Sequence, residues 1–106
     1  MLVAYLFQIL FFRLLMIQTE ALQIIQTIAH FGSFTIAARH LHKVPSAISY
    51  TVRKTEEQLG VQLIIRDSRK VKLTPAGEHF VDRSRIIIEE LNALDGGTRL
   101  IATGHE

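Results

Sequence analysis

Four side chains between positions 46 and 53 have the chemistry that proteins use to contact nucleic acids. They are Ser46, Ser49, Tyr50 and Arg53. Their spacing of three and four residues places them on one face of a helix. Hydroxyl and guanidinium groups bind phosphate oxygens and base edges in the major groove, and arginine can also pair with guanine. The pattern predicts contact with double-stranded DNA, and the alternative is an ordinary solvated helix face.

The stretch from Ser33 to Gly60 must position these side chains. It predicts two short helices joined by a tight corner, because Ser33 is a good N-cap, Pro45 suits the first helical position and Gly60 suits a helix end. This arrangement is typical of a helix-turn-helix, whose second helix enters the DNA groove. The inward positions predicted for that helix are Ala47, Ile48, Val52 and Leu59, with Thr55 where an apolar residue is expected.

A basic hairpin follows the helix pair. Two β-prone runs, 61–66 and 70–74, flank a polar tip, which predicts a two-stranded wing. Between positions 39 and 72 there are eight basic and three acidic residues, although the formal net charge of the whole chain is only +2. A locally basic surface of this kind favours DNA as the partner. The complete set of predicted DNA contacts is Ser33, Thr35, Lys43, Pro45, Ser46, Ser49, Tyr50, Arg53, Lys54, Arg66, Arg69 and Lys70.

A long helix is predicted from Pro75 to about Leu94, with Thr74 as its cap. Its apolar residues step by four and three, with Ser84 as one polar interruption, as in the seam of a coiled coil. The sequence therefore predicts a dimer, and the alternative is that the stripe covers the first helix of the same chain. The predicted dimerisation residues are Phe80, Ile87, Ile88, Leu91 and Leu94.

The first sixteen residues are almost entirely apolar, but they are too short for a spanning helix, which needs about 20 apolar residues. Three interpretations remain open. The segment could be a membrane-associating helix, an extra helix that packs on the domain or a partner, or upstream sequence translated ahead of a true start at Met16. The last is favoured because regular patterning begins only after that point.

Other classes of chemistry find no support in the sequence. There is no cysteine, so disulfides, thiolate metal sites and thiol nucleophiles are excluded. The histidines lack the spacing and partners of a metal site, and no nucleophile motif or phosphate-binding glycine loop is present. We therefore predict no enzyme activity, no catalytic residue, no metal, no cofactor and no small-molecule site in this chain. The histidines are His30, His40, His42, His79 and His105.

The chain resembles the N-terminal domain of LysR-type bacterial transcriptional regulators. The residues that carry the resemblance are Gly32-Ser33-Phe34, Ala37-Ala38, Leu41, Pro45-Ser46-Ala47-Ile48-Ser49, Glu56, Leu59-Gly60, Leu63, Arg66 and Leu73-Thr74-Pro75-Ala76-Gly77. The departures include Thr55 and Ile65, where the family usually has Leu and Phe, and Tyr50-Thr51, where Arg or Gln is frequent. The resemblance implies a winged helix-turn-helix, a dimerising linker helix and then a co-inducer-binding domain, of which only an opening strand near 97–101 would be present.

Together these observations predict a mainly α fold: a winged helix-turn-helix with a two-stranded β wing and a long C-terminal linker helix. The expected divisions are an apolar extension (1–16), the DNA-binding domain (17–74), the linker helix (75–95), and a hinge with a stub of a missing effector domain (96–106). The expected function is a cytoplasmic, sequence-specific DNA-binding regulator that forms homodimers or heterodimers. The alternatives are a module that dimerises with full-length relatives without regulating, and a membrane-tethered regulator, although a membrane partner is disfavoured.

Overall fold

The computed structural model describes residues 1–15, 17–67 and 70–104. The predictions that concern Met16, Arg69 and His105 therefore lie outside the described residues. In chain order the elements are α1 (Leu2–Leu15), α2 (Thr19–Phe31), α3 (Phe34–His40), α4 (Pro45–Leu59), β1 (Ile64–Arg66), β2 (Val71–Leu73) and α5 (Pro75–Ala102). The predicted fold, mainly α with a two-stranded wing and a long C-terminal helix, is confirmed.

The core lies where α2, α3 and α4 meet β1 and the first turns of α5. Ala37 and Ala38 are almost completely buried, and their small side chains let α4 approach α3 closely. Phe34, Leu41 and Phe80 pack around the edge of this core. The buried residues are Ile24, Ile25, Ile28, Ala37, Ala38, Ile48, Val52, Leu63, Ile64 and Val81.

The corner between α3 and α4 is held by backbone hydrogen bonds. The Lys43 amide donates to the carbonyl of Ala38 (2.9 Å), and the Leu41 amide donates to that of Ala37 (2.9 Å). His42 takes the left-handed conformation, with φ of 57°, where glycine is the usual residue and His is one of the better-tolerated alternatives. Ser33 caps α3 as predicted, its hydroxyl accepting from the Ile36 amide at 3.2 Å.

The wing, residues 64–73, is an antiparallel pair shorter than the predicted runs. Ile64 pairs with Leu73 and Arg66 with Val71. Residues 61–63 stay outside the ladder. In that segment the carbonyl of Gln62 accepts from the Thr74 hydroxyl (2.7 Å), and that of Leu63 accepts from the Thr74 amide (3.0 Å). Thr74 also caps α5, since its hydroxyl accepts from the Gly77 amide at 2.9 Å.

The C-terminal helix is longer than predicted. It continues through Gly96 and Gly97 to Ala102, so the predicted hinge and the predicted opening strand at 97–101 are wrong for this structure. In a helix the backbone groups find their hydrogen-bond partners four residues away, so this segment needs no neighbouring strand. An ion pair between Arg99 and Asp95 at 3.1 Å spans the glycines and supports the last turns.

The N-terminal helix α1 lies next to α4, but its side chains from Leu2 to Phe11 are all exposed. Leu6, Phe7 and Leu10 are more than half exposed, and even Ile9 is 41% exposed. One of the three interpretations of this segment was a helix that packs on the domain. The structure shows only a small contact of this kind, between α1 and α4. None of the described helices combines the length and apolar content needed to cross a membrane.

Candidate nucleic-acid interface

Helix α4 presents the predicted contact residues on its outer surface. Ser46, Tyr50 and Arg53 are exposed and Ser49 is half-buried. On the opposite side, the inward-facing residues are Ile48, Val52 and Thr55, all at most 2% exposed. The predicted burial of Ala47 and Leu59 is wrong, because those positions lie on the outer flank and at the last turn of the helix.

Thr55 occupies its apolar position by bonding its hydroxyl to the helix itself. Its Oγ1 donates to the carbonyl of Thr51 at 2.8 Å, and Thr51 repeats the arrangement by donating to Ala47 at 3.2 Å. A buried hydroxyl satisfied in this way avoids the cost of an unpaired polar group. The inner face of α4 therefore needs no further partner, and its polar outer face is left for contacts beyond the domain.

Two predicted cations are held close to other side chains. The Lys54 ammonium lies 5.9 Å from the centroid of the Tyr50 ring, one turn earlier on α4. The Lys43 ammonium lies 3.0 Å from a carboxylate oxygen of Glu20, at the start of α2. Both pairs are at the surface, where such interactions are weak and exchange readily with water. The Lys43 side chain is 39% exposed and remains accessible to solvent in this pair.

The remaining predicted positions lie at the starts of α3 and α4 and on the wing. Thr35 and Pro45 are exposed at the first turns of α3 and α4, while the half-buried Ser33 is occupied as the cap of α3. On the wing, Lys70 is exposed at the tip. Arg66 is also exposed, and its guanidinium carbon lies 4.1 Å from the centroid of the Phe34 ring. The predicted contacts among the described residues therefore extend from α4 to the wing.

Glu56 connects α4 to the wing, a role that sequence reasoning missed. Its carboxylate accepts hydrogen bonds from the amides of Leu63 (2.7 Å) and Ile64 (3.1 Å). Leu63 precedes β1 and Ile64 is its first residue, so the carboxylate fixes the wing relative to the end of α4. Nothing in the local spacing of Glu56 and Leu63 signals this contact, because it depends on the turn at Gly60.

The apolar stripe of α5 divides into two parts. Near the start of the helix, Phe80 is half-buried and Ser84 is buried, its hydroxyl donating to the Phe80 carbonyl at 2.6 Å. Farther along, Ile87, Leu91 and Leu94 are 44%, 38% and 66% exposed. The first part therefore covers the core of its own chain, and the second part leaves apolar surface unpaired.

Within residues 1–15, 17–67 and 70–104, no three His, Asp or Glu side chains are grouped so that they could hold a metal ion. The described surface instead combines an exposed polar helix face, a corner that fixes its angle and a basic wing. Side chains of this kind can bind phosphates and base edges.

The family model for bacterial regulatory helix-turn-helix proteins of the lysR family matches residues 19–78. This range includes α2 to β2 and the first turn of α5. The chain belongs to the LysR family. The matched range contains the whole helix-turn-helix and its wing, and it leaves α1 and most of α5 outside.

LysR-family regulators from Escherichia coli strain K12 are similar to this chain. The HTH-type transcriptional regulator PunR is 42% identical over 84 residues, which is 79% of this chain and 27% of PunR. The probable HTH-type transcriptional regulator YhaJ is 39% identical over 87 residues, or 82% of this chain and 29% of YhaJ. The chain thus spans just over a quarter of the length of these relatives.

Solved structures of LysR-family domains have the same fold. The BenM DBD in its complex with catB site 1 DNA superposes with a TM-score of 0.80 at 32% identity, covering 83% of this chain and 99% of that one. The CbnR DBD in its DNA complex gives a TM-score of 0.77 at 29% identity, covering 80% and 98%. Both comparisons span nearly the whole of the solved domain.

Proposed function

We propose that this chain is a sequence-specific DNA-binding transcription regulator that inserts α4 into the major groove and lays the wing against the backbone. The observation that carries the proposal is the outer face of α4, where Ser46, Tyr50 and Arg53 are exposed over a buried inner face. Exposed groups on a rigidly supported helix are what base readout requires. Action on bacterial DNA would place the protein in the cytoplasm.

The DNA complexes of BenM and CbnR support this proposal. Each contains a domain of the same fold, and the comparison covers nearly the full length of that domain. The identity of about 30% is enough for a shared family but not for a shared operator. Tyr50 and Thr51 at the centre of α4 would give this chain its own base preference.

We further propose that two copies pair through the exposed part of the α5 stripe. Ile87, Leu91 and Leu94 recur at the spacing of a coiled-coil seam and lack intramolecular cover sufficient to bury them. A symmetric pair would present two α4 helices to half-sites about one duplex turn apart or a multiple of it. The same stripe would also allow a heterodimer with a related regulator.

The direct test is selection of bound duplexes from a random library, followed by gel shift of the recovered sequence. The proposal expects recovery of a related set of sequences with two half-sites, and binding that weakens steeply as salt rises. The log–log slope should be on the order of −0.9 for each phosphate contact. Dimerisation without recovery of any sequence would instead identify the chain as an interaction module.

Arg53→Ala should weaken binding to the recovered duplex by roughly 1–3 kcal/mol, because an exposed guanidinium contact to a base or phosphate is lost. The variant should fold normally, since the side chain lies outside the core. The measurement is a titration by fluorescence anisotropy. Arg83→Ala, which removes the same group from an exposed position on α5, is the matched control and should bind like the wild type. Equal affinity for Arg53→Ala and the wild type would refute the groove assignment.

Leu91→Asp should shift the chain towards monomer, because it places a charge in the proposed seam. Analytical ultracentrifugation should show at least a tenfold rise in the dimer dissociation constant, about 1.4 kcal/mol. The control is Ala93→Asp, which adds the same charge to an exposed position on the other side of α5. If both variants remain dimeric, the seam lies elsewhere.

A further inference from the structure

The wing arginine Arg66 rests on an aromatic ring of the helix-turn-helix. Its guanidinium carbon is 4.1 Å from the centroid of Phe34, the first residue of α3. Phe34 is half-buried and packs against the core, so the ring is a fixed platform. Arg66 is the last residue of β1 and is exposed. The contact therefore joins the end of a long side chain on the wing to a ring that packs against the core.

The backbone around this pair is fixed on both sides. The Ser33 hydroxyl bonds the Ile36 amide and so sets the direction in which α3 begins. The amide of Val71, which pairs with Arg66 across the wing, donates to the carbonyl of Gly32 at 3.3 Å. The wing is thus attached to the turn before α3 independently of the side-chain contact, and the ring and the guanidinium are brought together by both attachments.

Stacking uses the face of a guanidinium and leaves its N–H donors directed outwards in the plane. Those donors are the groups that bind phosphate oxygens, often two at a time. An arginine loses considerable rotamer freedom when it binds an anion, and a side chain that is already ordered loses less. An exposed Arg66 whose guanidinium lies over the Phe34 ring is therefore better prepared to bind a phosphate than a free surface arginine.

We propose that Phe34 is a positioning residue for DNA binding. Its ring holds the Arg66 guanidinium against α3, so that the guanidinium is a preorganised phosphate-binding group. The wing and the helix-turn-helix then act as one rigid contact surface. This inference rests on the proposed function and extends it to a residue that does not itself touch the DNA. The ligand it serves is a backbone phosphate, so its contribution is independent of base sequence.

A double-mutant cycle on the duplex recovered by selection tests the proposal. Arg66→Ala should reduce affinity and lower the log–log salt slope by about 0.9 per protomer, as one phosphate contact is lost. Phe34→Leu should weaken binding about two- to fivefold per protomer in the wild-type background, the range expected for an exposed cation–π contact. In the Arg66→Ala background, Phe34→Leu should cause no further loss. In the wild-type background, Phe34→Tyr should keep wild-type affinity because it keeps the ring.

Arg66→Lys also tests whether the contact between the guanidinium and the ring contributes to affinity, and it leaves the core residue Phe34 unchanged. Lysine keeps the charge but lacks the planar group that stacks, so the salt slope should stay while affinity falls severalfold. Thermal unfolding of each variant shows that the binding measurements were made on folded protein. An equal effect of Phe34→Leu in both backgrounds would assign Phe34 a structural role and overturn the proposal. So would wild-type affinity in Phe34→Leu. Failure of the wild-type chain to bind any duplex would instead overturn the proposed function, and this inference with it.

Discussion

Gly77→Ala should destabilise the folded chain by about 3 kcal/mol or more, the upper end of the range for overpacked buried positions. Gly77 is buried in the first turn of α5, and a Cβ there would overlap the carbonyl oxygen of Leu63 and lie 3.0 Å from its carbonyl carbon. These are backbone atoms held by neighbouring hydrogen bonds, so they cannot rotate away as a side chain could. Either α5 or the chain entering β1 must move.

The expected loss of unfolding free energy in Gly77→Ala is opposite in sign to the effect of helix propensity, which favours alanine over glycine by about 1 kcal/mol. Gly96→Ala, in the same helix, is the matched control because a Cβ there has no atom within 4 Å. It should stabilise the chain by about 0.5–1 kcal/mol. Urea unfolding of both variants measures the difference. Similar stabilities for the two variants would show that α5 does not pack against Leu63 as described.

Glu56→Ala should cost about 2–3 kcal/mol of unfolding free energy. The substitution removes the acceptor for two backbone amides, those of Leu63 and Ile64, and Leu63 is only 1% exposed. A hydrogen bond to a charged group contributes about 1.5–3 kcal/mol, and an amide left unpaired in the interior is costly. The loss should be smaller than the summed contributions of two such hydrogen bonds, because the half-buried carboxylate is partly solvated.

The neighbouring Glu57 provides the control for this prediction, since it is exposed on the same helix. Glu57→Ala should change stability by less than about 0.5 kcal/mol. Glu56→Gln keeps one oxygen that can accept from both amides and should fall between the wild type and Glu56→Ala. Chemical denaturation followed by circular dichroism gives all three values. Equal stabilities of Glu56→Ala and Glu57→Ala would show that the carboxylate does not anchor the wing.

Much of the fold could be predicted because its boundaries are marked by local chemistry. Ser33 and Thr74 accept bonds from the first turns of their helices, and Gly32 and Gly60 take left-handed conformations at helix ends. These effects operate within four residues of the chain, so residue type and spacing are sufficient to reveal them. The outward face of α4 followed from the same periodicity.

The features that could not be predicted depend on contacts between distant parts of the chain. Glu56 meets Leu63 only after the turn at Gly60, and Arg66 meets Phe34 only once the wing has folded back. The left-handed corner residue His42 was also hidden, because no glycine marks it. The Gly-Gly pair in α5 shows the opposite kind of error. Two glycines in a row predicted the end of the helix, but the helix continues through them to Ala102.

Because α5 is one continuous helix, the direction that a side chain faces at one end fixes the direction that side chains face at the other end. Its 28 residues form a rod about 42 Å long, in which each residue turns the helix by about 100°. Val81 and Ser84 fix one side of this rod to the DNA-binding domain, and Leu91 and Leu94 lie about three turns farther along. In the proposed dimer, the direction in which the partner approaches would thus be set by the number of residues between these two parts of α5. One residue inserted after Arg85 would swing the distal stripe by roughly a quarter turn, whereas seven would return it to within about 20°.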